Sequence, residues 1–421
     1  MDKKPTILML PTWYPTKENP FNGVFFREQA LAMQRNFDFV VARLFFKPEF
    51  FLFTFIKRLF RIPLAKVVFV QDDCGLKEYA VYAGKPQFIV WDLFLTRFKK
   101  IFMPGKVKNG VGIIEPLCVK KSRFNIAAYI KQKKLLPHFD CVYSLTSQGN
   151  APFGKAFANI FGVPHITAEH APFPWPGYAL SDSEIDAIET ADEFLAISND
   201  KIRQVLLQNI KINPFWVGNL CDENKFSLSQ ECHAEPAFLI VAAYVFYKNY
   251  PLFIKSMEEL KRIATKRFKI IIAGYNSNKG YSKNAEELES VVQHSVIAPD
   301  TEMIGSVSRN EMPILYNSCD VFVMTSIQEG LPVSAIEASM SGLPVISTRC
   351  GGVEDYVDDS MGRIFPITDY QGIAKACNDY LNGEIVFDRK HIRGKAIELF
   401  GVEAFTTRMK KVFDRAMTTN L

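Results

Sequence analysis

Apolar residues recur along this chain in two alternating rhythms. Thr6 to Leu10 is a short apolar run of the kind a buried strand shows, and a loop of turn formers follows it (Pro11, Pro15, Asn19, Pro20, Asn22, Gly23). Val24 to Arg35 then carries Phe26, Ala30, Met33 and Phe37 at helical spacing, and Phe39 to Phe46 predicts a second strand. Further strands are expected at Cys141 to Leu145 and His165 to Ala168. The second half repeats the rhythm more clearly, with apolar strands at Phe238 to Ala242, Lys269 to Ala273, Val321 to Met324 and Pro344 to Ser347, separated by helical stretches. Strands alternating with helices predict an α/β chain with parallel sheets.

Helix starts are marked by their own chemistry. Pro251 suits a first turn, where a missing N–H costs nothing, and Ser308-Arg309-Asn310-Glu311 reads as a capping box before Met312, Ile314 and Leu315. Gly218-Asn219 and a polar stretch to Pro236 interrupt the pattern near residues 217 to 235. A chain of 421 residues exceeds one comfortable core. We therefore expect domains at 1–220 and 221–401, with 402–421 as a C-terminal helix packing back on the first; its helical part is Val402 to Met417. No repeat of solenoid period is present.

Charge divides the chain as the pattern does. Residues 1–160 carry a net +14 and residues 161–421 a net −9, within an overall +5. A basic half suits nucleic acid, an anionic membrane or an anionic substrate. Aromatic and basic side chains interleave at Phe45-Phe46, at Phe50 to Arg61 and at Arg97 to Phe102. This suits a segment lying on an anionic headgroup layer, or else a core helix with a solvated edge. No run approaches the roughly 20 apolar residues that span a bilayer. The opening apolar run is also too short for a signal-peptide core. The eight cysteines are scattered, without a Cys-x-x-Cys pair, so reduced thiols and a cytoplasmic location, peripheral on the inner face of the cell membrane, are expected.

Residues just past the strands of an open parallel sheet are the ones that meet ligands. The richest such place is 325–342, where Thr325 to Pro332 follows a strand and Val333 to Ser341 reads as a helix stopped by Gly342 and Pro344. With Pro332 in its first turn, that helix aims free N–H groups and a positive dipole end at a ligand, which suits a phosphate or the hydroxyls of a sugar, anion binding being the expected use. Glu329 lies in the loop before the helix, and Glu337 lies about 7.5 Å along it. Two carboxylates flanking one anion site suit a diphosphate with a hydroxyl-bearing ring on either side.

This stretch resembles the E-x7-E signature of the retaining glycosyltransferases of family 4. The run Glu329-Gly330-Leu331-Pro332-Val333-Ser334-Ala335-Ile336-Glu337-Ala338, then Gly342 to Ile346 and Gly351-Gly352-Val353, is similar to the family pattern. Lys248, Gly274, Gly305 and Tyr316-Asn317-Ser318-Cys319-Asp320 follow in the family's order. Near the start, Pro15 through Asn22-Gly23-Val24-Phe25 and Gln29-Ala30-Leu31 resembles its glycine loop. Glu169-His170-Ala171 resembles its strand-end histidine, and Ala196-Ile197-Ser198 the strand leading to the interdomain linker.

The resemblance implies the GT-B architecture, two Rossmann-like doubly wound parallel-sheet domains facing across a cleft that closes on its ligand. It implies a nucleotide-diphosphate sugar as co-substrate, with no other cofactor, no metal and no nucleic acid, and a lipid-linked or polysaccharide acceptor. Lys248 would pair with the diphosphate, and Glu337 would bind ribose hydroxyls. Glu329 would hold the transferred sugar together with the backbone of Gly330, Leu331, Pro332 and Val333. Since proline has no amide hydrogen, Pro332 can only shape that loop. Gly274 would border the donor, and Gly23 and His170 would complete the cleft from the other domain. Glu329, His170 and Lys248 are the expected catalytic residues.

The absence of Asp-x-Asp from the sequence argues against the metal-dependent glycosyltransferase fold. Three positions depart from the pattern. Ala243 stands where the family usually has arginine, and Asn276 and Pro332 stand where it has glycine. Arg309 and Arg349 are the candidates to replace the lost charge. A catalytically silent binding subunit of the same fold, recruiting a partner enzyme, is the alternative. An epimerase or phosphorylase of that fold matches the ordered motifs less well. A Rossmann dehydrogenase lacks its G-x-G-x-x-G loop here, Leu10-Pro11-Thr12-Trp13-Tyr14-Pro15 standing in its place.

Overall fold

The computed structural model describes residues 4–16, 22–50, 64–87, 117–174, 178–228, 233, 235–276 and 282–418. The chain forms two compact units. One takes Met1–Ile197, Lys201–Val217 and Thr406–Leu421, and the other takes Ser198–Asp200 and Gly218–Phe405.

The first unit is built on β1 (Thr6–Pro11), β2 (Asp38–Phe50), β3 (Ala65–Asp73), β4 (Leu76–Gln87), β5 (Cys141–Leu145), β6 (His165–Glu169), β7 (Glu193–Ala196) and β8 (Pro214–Trp216). Their order in the sheet is β3-β4-β2-β1-β5-β6-β7-β8, parallel except for the antiparallel β3–β4 pair. The chain leaves β1 for β2 on one side and later returns to β5 on the other. The switch point thus lies between the carboxyl ends of β1 and β5, where an open sheet leaves a crevice. Helices α1 (Val24–Met33), α2 (Leu117–Gln132), α3 (Ser147–Phe161), α4 (Asp182–Glu189) and α5 (Asn199–Leu206) follow their strands.

The β3–β4 hairpin departs from the predicted strand–helix alternation. Its two-residue turn is Cys74-Gly75, both at positive φ. Cysteine is a poor advertisement for a turn that asparagine or aspartate usually opens. β2 contains the strand expected at Phe39 to Phe46 and runs on to Phe50, so Phe45, Phe46 and Phe50, also read as part of a surface-lying segment or a core helix, lie in a strand, and Phe45 stacks on Tyr82 across the β2–β4 pair at 5.2 Å. The rest of that stretch to Arg61, and the stretch Arg97 to Phe102, lie outside the described residues.

The second unit carries β9 (Ala237–Val241), β10 (Lys269–Ala273), β11 (Thr301–Ile304), β12 (Val321–Met324), β13 (Val345–Thr348) and β14 (Gly362–Phe365). All are parallel, in the order β11-β10-β9-β12-β13-β14. Its switch point lies between β9 and β12. Helices α6 (Tyr250–Ile263), α7 (Ser282–Gln293), α8 (Met312–Asn317), α9 (Val333–Met340), α10 (Tyr370–Asn382) and α11 (Arg389–Phe400) flank the sheet, and one core joins Phe238, Ile270 and Val323 on the strands to Phe253 and Ile373 on the helices. Pro251 sits in the first turn of α6 as its chemistry requires. Of the expected capping box before α8, the Ser308 amide donates to Glu311 Oε2 at 3.2 Å, and the helix proper starts only at Met312.

The last helix, α12 (Val402–Thr418), starts in the second unit and runs into the first from Thr406 onward. Phe413 packs on Phe37 and Tyr143, Arg415 pairs with Glu193, and Arg408 lies 4.7 Å from the Trp216 ring centre while donating to the Val217 carbonyl. An apolar plug with two anchoring arginines fixes this segment on the first unit's sheet.

Candidate functional site

In the second unit the site grows from the two strands at the switch point. After β9 the chain makes a single tight turn, Phe246–Lys248, closed by Asn249 at φ 52. After β12 it runs through Thr325 to Pro332 into α9. Backbone bonds stitch these loops together. The Ile327 amide donates to the Tyr247 carbonyl at 2.7 Å, and the Thr325 hydroxyl reaches the carbonyls of Lys248 and Asn249, each at 3.2 Å. This places Lys248 Nζ 2.6 Å from Glu329 Oε1, which also accepts the Ser326 hydroxyl at 2.6 Å. Burial works to pull the Lys248 ammonium down, but the Glu329 charge and hydrogen bond outweigh it and hold the lysine above its ordinary value.

The Glu329 to Pro332 loop is held from behind. The Glu329 amide donates to the Cys350 carbonyl at 2.7 Å, and Asn219 Nδ2 donates to the Leu331 carbonyl at 2.9 Å. Gly352 has φ +70, and any Cβ there would overlap the Gly330 carbonyl. Only glycine lets these two loops meet. Pro332, expected inside the first turn, is instead the N-cap residue (φ −69, ψ 113), and α9 begins at Val333 with no side-chain cap. The amides that open α9 are therefore left for a ligand.

Glu337 projects from the second turn of α9, with 4% of its side chain exposed. One oxygen pairs with Arg309 and the other accepts the Tyr316 hydroxyl at 3.0 Å. Burial and the Glu337 charge together push the Tyr316 phenol far up, so it serves only as a neutral donor. Of the two arginines considered as replacements for the charge missing at Ala243, Arg309 is thus engaged with Glu337, and Arg349 is exposed just past β13. Gly274, at φ +76 past β10, donates its amide to the Gly305 carbonyl at 2.9 Å. Asn276 packs over Gly305 and accepts the Ser306 hydroxyl at 3.0 Å, so this departure adds a tie between the β10 and β11 loops.

The first unit presents a different surface at its own switch point. Asn150 Nδ2 donates to the carbonyls of Leu10 and Leu145 and to the Thr12 hydroxyl, joining the loops after β1 and β5. Gly23 starts α1 at φ 66, and a Cβ there would stand 2.5 Å from the Trp13 carbonyl oxygen. The next two residues after Val24, Phe25 and Phe26, place their rings 5.8 and 4.8 Å from the ring of His170, at the end of β6. Both His170 ring nitrogens are buried and have no hydrogen-bond partner, and burial lowers its pKa to about 3. The imidazole is therefore neutral at physiological pH, and its polar edge is unsatisfied. Beside it the fully buried Glu169 accepts the Ser147 hydroxyl and the amides of Ala171 (2.8 Å) and Gln148 (3.4 Å); burial nonetheless leaves it above the ordinary carboxylate value.

Lys248, Glu329, Gly330, Leu331, Pro332, Val333 and Glu337 thus gather on one edge of the second unit, with Gly274 at the end of a neighbouring strand. Gly23 and His170 share an aromatic cluster in the first. Sequence reasoning did not anticipate Ser326 as a partner of Glu329 or Asn219 as a clamp on Leu331. It noted Tyr316 without giving it a partner. A hydroxyl three residues before Glu329 was a signal for the first; the other two depend on tertiary approach. Among the described residues no three His, Cys, Asp or Glu side chains converge as metal ligands, and no helix is long and apolar enough to cross a membrane.

Residues 223–398 match the family model of glycosyl transferases group 1. Over 123 residues the chain is 32% identical to the O-antigen chain mannosyltransferase RfbU of Salmonella typhimurium, covering 29% of this chain and 32% of that one. The first curated relatives are matched over only 20–45% of their own length. Two solved structures share the fold along nearly the full chain, which is therefore GT-B. Sucrose-phosphate synthase from Thermosynechococcus elongatus has TM-score 0.68 at 13% identity, covering 99% of this chain and 100% of that one. HepE of Anabaena, solved with UDP and glucose, has TM-score 0.63 at 13% identity, covering 97% and 99%.

Proposed function

We propose, from the membership of residues 223–398 in the glycosyl transferases group 1 family, that this chain transfers a sugar from a nucleotide-diphosphate donor with retention of anomeric configuration. The acceptor is a lipid-linked or growing glycan in cell-surface polysaccharide synthesis. The observation that carries the reading is the placement of Lys248 and Glu329 2.6 Å apart at a topological switch point, with Glu337 on the helix that starts beside them.

In this account the donor's diphosphate lies against Lys248 and the opening amides of α9, which stabilise the charge that builds on the leaving oxygen. Glu337 takes the ribose hydroxyls. Glu329, released from Lys248 as the diphosphate arrives, takes hydroxyls of the transferred sugar. Gly274 keeps backbone close to the nucleotide, and on the first unit's own surface neutral His170 has an unsatisfied ring edge that suits a sugar hydroxyl, beside the close backbone approach at Gly23. The acceptor oxygen bonds to the anomeric carbon on the face from which the diphosphate departs, and its proton leaves with the departing oxygen. Positive charge comes from lysine and helix amides, so the reaction needs no metal. The basic first unit and its aromatic-rich stretches fit work at the anionic cytoplasmic face of a membrane.

The test is Glu329→Gln. Turnover should fall by roughly a hundredfold or more, in chelator as without it, while nucleoside diphosphate binding stays equal or tightens because Lys248 loses its competitor. Unchanged turnover would remove Glu329 from the mechanism. The silent-subunit reading draws support from Ala243 and from a lysine already neutralised by Glu329. A folded wild-type chain that binds no nucleotide would make it the better one.

A further inference from the structure

We propose that Phe246 and Tyr247, on the turn that carries Lys248, form a stacking platform for the sugar rings of a glycan acceptor. The inference rests on the donor-site reading above and adds to it the chemistry that this unit offers the acceptor.

The chain after β9 reads Tyr244-Val245-Phe246-Tyr247-Lys248-Asn249-Tyr250-Pro251, with four aromatic residues in close succession. Tyr250 is buried in the core of this unit, where its hydroxyl donates to the Ala242 carbonyl at 2.6 Å, but Phe246 is 88% exposed and Tyr247 49%. Leaving a large apolar side chain in water forgoes roughly 1.5–3 kcal/mol of burial. One exposed apolar residue is ordinary, whereas two in succession beside a candidate ligand site are not scattered. Nor is the turn loose. The Lys248 amide donates to the Val245 carbonyl at 3.0 Å, the Asn249 amide to the Phe246 carbonyl at 3.1 Å, and the Ile327 amide to the Tyr247 carbonyl at 2.7 Å. Rings presented on a fixed turn lose little freedom when a ligand covers them.

On the donor-site reading these rings stand at the sugar end. Lys248 Nζ lies 5.4 Å from the centre of the Tyr247 ring and 2.6 Å from Glu329 Oε1. Glu337 takes the ribose there and Glu329 the transferred sugar, with the diphosphate between them, so Tyr247 borders the sugar and not the nucleoside. The attacking hydroxyl must approach that same sugar. Phe246 carries the surface further, since with Tyr244, Asn249, Tyr250, Pro251 and Glu287 it lines a cavity of about 260 Å³. Aromatic π faces pack on the C–H face of a pyranose, and a few polar groups among them meet its hydroxyls. Asn249, Glu287 and the Tyr244 phenol are such groups, and burial followed by the Glu287 charge raises the phenol above its ordinary value and keeps it neutral. Among the residues that line the cavity Glu287 alone is charged, and its sign repels a phosphate.

The test is saturation-transfer NMR on the full chain, which reads weak contact at individual sugar protons. Uncharged methyl glycosides of glucose, galactose, mannose, rhamnose and N-acetylglucosamine are the probes, each at millimolar concentration with wild type, F246A, F246W and F246A/Y247A. Phe246 is exposed and Y247A keeps the carbonyl that Ile327 holds, so the variants retain the turn, which a melting curve checks. The proposal expects at least one glycoside to receive saturation at its ring C–H protons in wild type, F246A and the double variant to weaken that binding roughly fivefold or more, and F246W to keep it. Equal binding in wild type and the double variant, or a wild type that binds no glycoside, overturns the platform. So does an F246A that binds its glycoside as wild type does but loses nucleotide affinity or sedimentation with anionic vesicles, which would assign the ring to a nucleoside or a membrane. Titration of wild type with UDP, GDP, ADP, CDP and dTDP separates the two levels. If one of them binds, only the platform is lost; if none binds, the donor-site reading falls with it.

Discussion

The two switch points of this chain solve the same geometric problem with opposite electrostatics. In the second unit each candidate side chain that carries charge is already matched, Lys248 by Glu329 and Glu337 by Arg309 and Tyr316. In the first unit His170 is neutral, with both ring nitrogens buried and unmatched. The contrast teaches what each surface can do for a ligand. A paired site is preorganised and exchanges one partner for another, so binding there is a competition of charges. An unmatched imidazole costs stability until a hydroxyl satisfies it, which favours a neutral, polyhydroxylated group over a phosphate.

The largest effect should come from disturbing the support of the paired site. Gly352→Ala forces a side chain into positive φ and into the Gly330 carbonyl, and we expect a loss of about 3 kcal/mol in chemical denaturation. A near-neutral result would mean that the loop bearing Glu329 is not clamped as described.

The unmatched site is sharpened by pH. The folded pKa of His170 is lowered to about 3, below the ordinary value of about 6.5, so the folded state refuses a proton that the unfolded chain accepts. Above about pH 6.5 it therefore adds no pH-dependent cost, and stability is lost as pH falls from there toward 3. His170→Leu should recover about 2 kcal/mol of the stability that wild type loses between roughly pH 7 and pH 5. His165, likewise lowered to about 3 by burial but bonded to Ser144 at 2.8 Å, remains as an internal reference. A wild-type slope unchanged in the variant would show that His170 titrates normally. The smallest effect belongs to Asn276→Gly, which removes the tie to Ser306 and should cost about 1 kcal/mol or less, with nucleotide affinity unaltered.

The same contrast explains what could be read from the chain in advance. The strands at Cys141–Leu145, Lys269–Ala273 and Val321–Met324 coincide with their mainly apolar runs because a strand covered on both faces leaves few polar positions, Ser144 being buried and bonded to His165 and Lys269 exposed at a strand start. The β3–β4 hairpin was not legible, since its turn residues are weak signals and β3 is an exposed edge carrying Val68, Phe69 and Val70. At the site, Glu329, Gly330 and Glu337 are close in sequence and fixed by local backbone geometry, so their spacing together with the resemblance to the family signature pointed to them. Lys248 and Arg309 were named as well, but their pairing with these carboxylates was hidden because they arrive from elsewhere: Arg309 is 28 residues from Glu337, and Lys248 is 81 from Glu329. Nothing in spacing distinguishes an arginine that reaches a carboxylate from one in solvent.

The most direct measurement is thermal stabilisation of the wild type, K248A and E337Q by UDP, GDP, ADP, CDP and dTDP. A ligand at about 100 times its dissociation constant adds roughly 2.7 kcal/mol to the folded state, which a melting curve resolves. The account predicts that one base stabilises the wild type selectively and that both substitutions, each in folded protein, diminish the shift. Equal shifts in all three proteins would place the nucleotide elsewhere, and no shift with any nucleotide would contradict the account at its root.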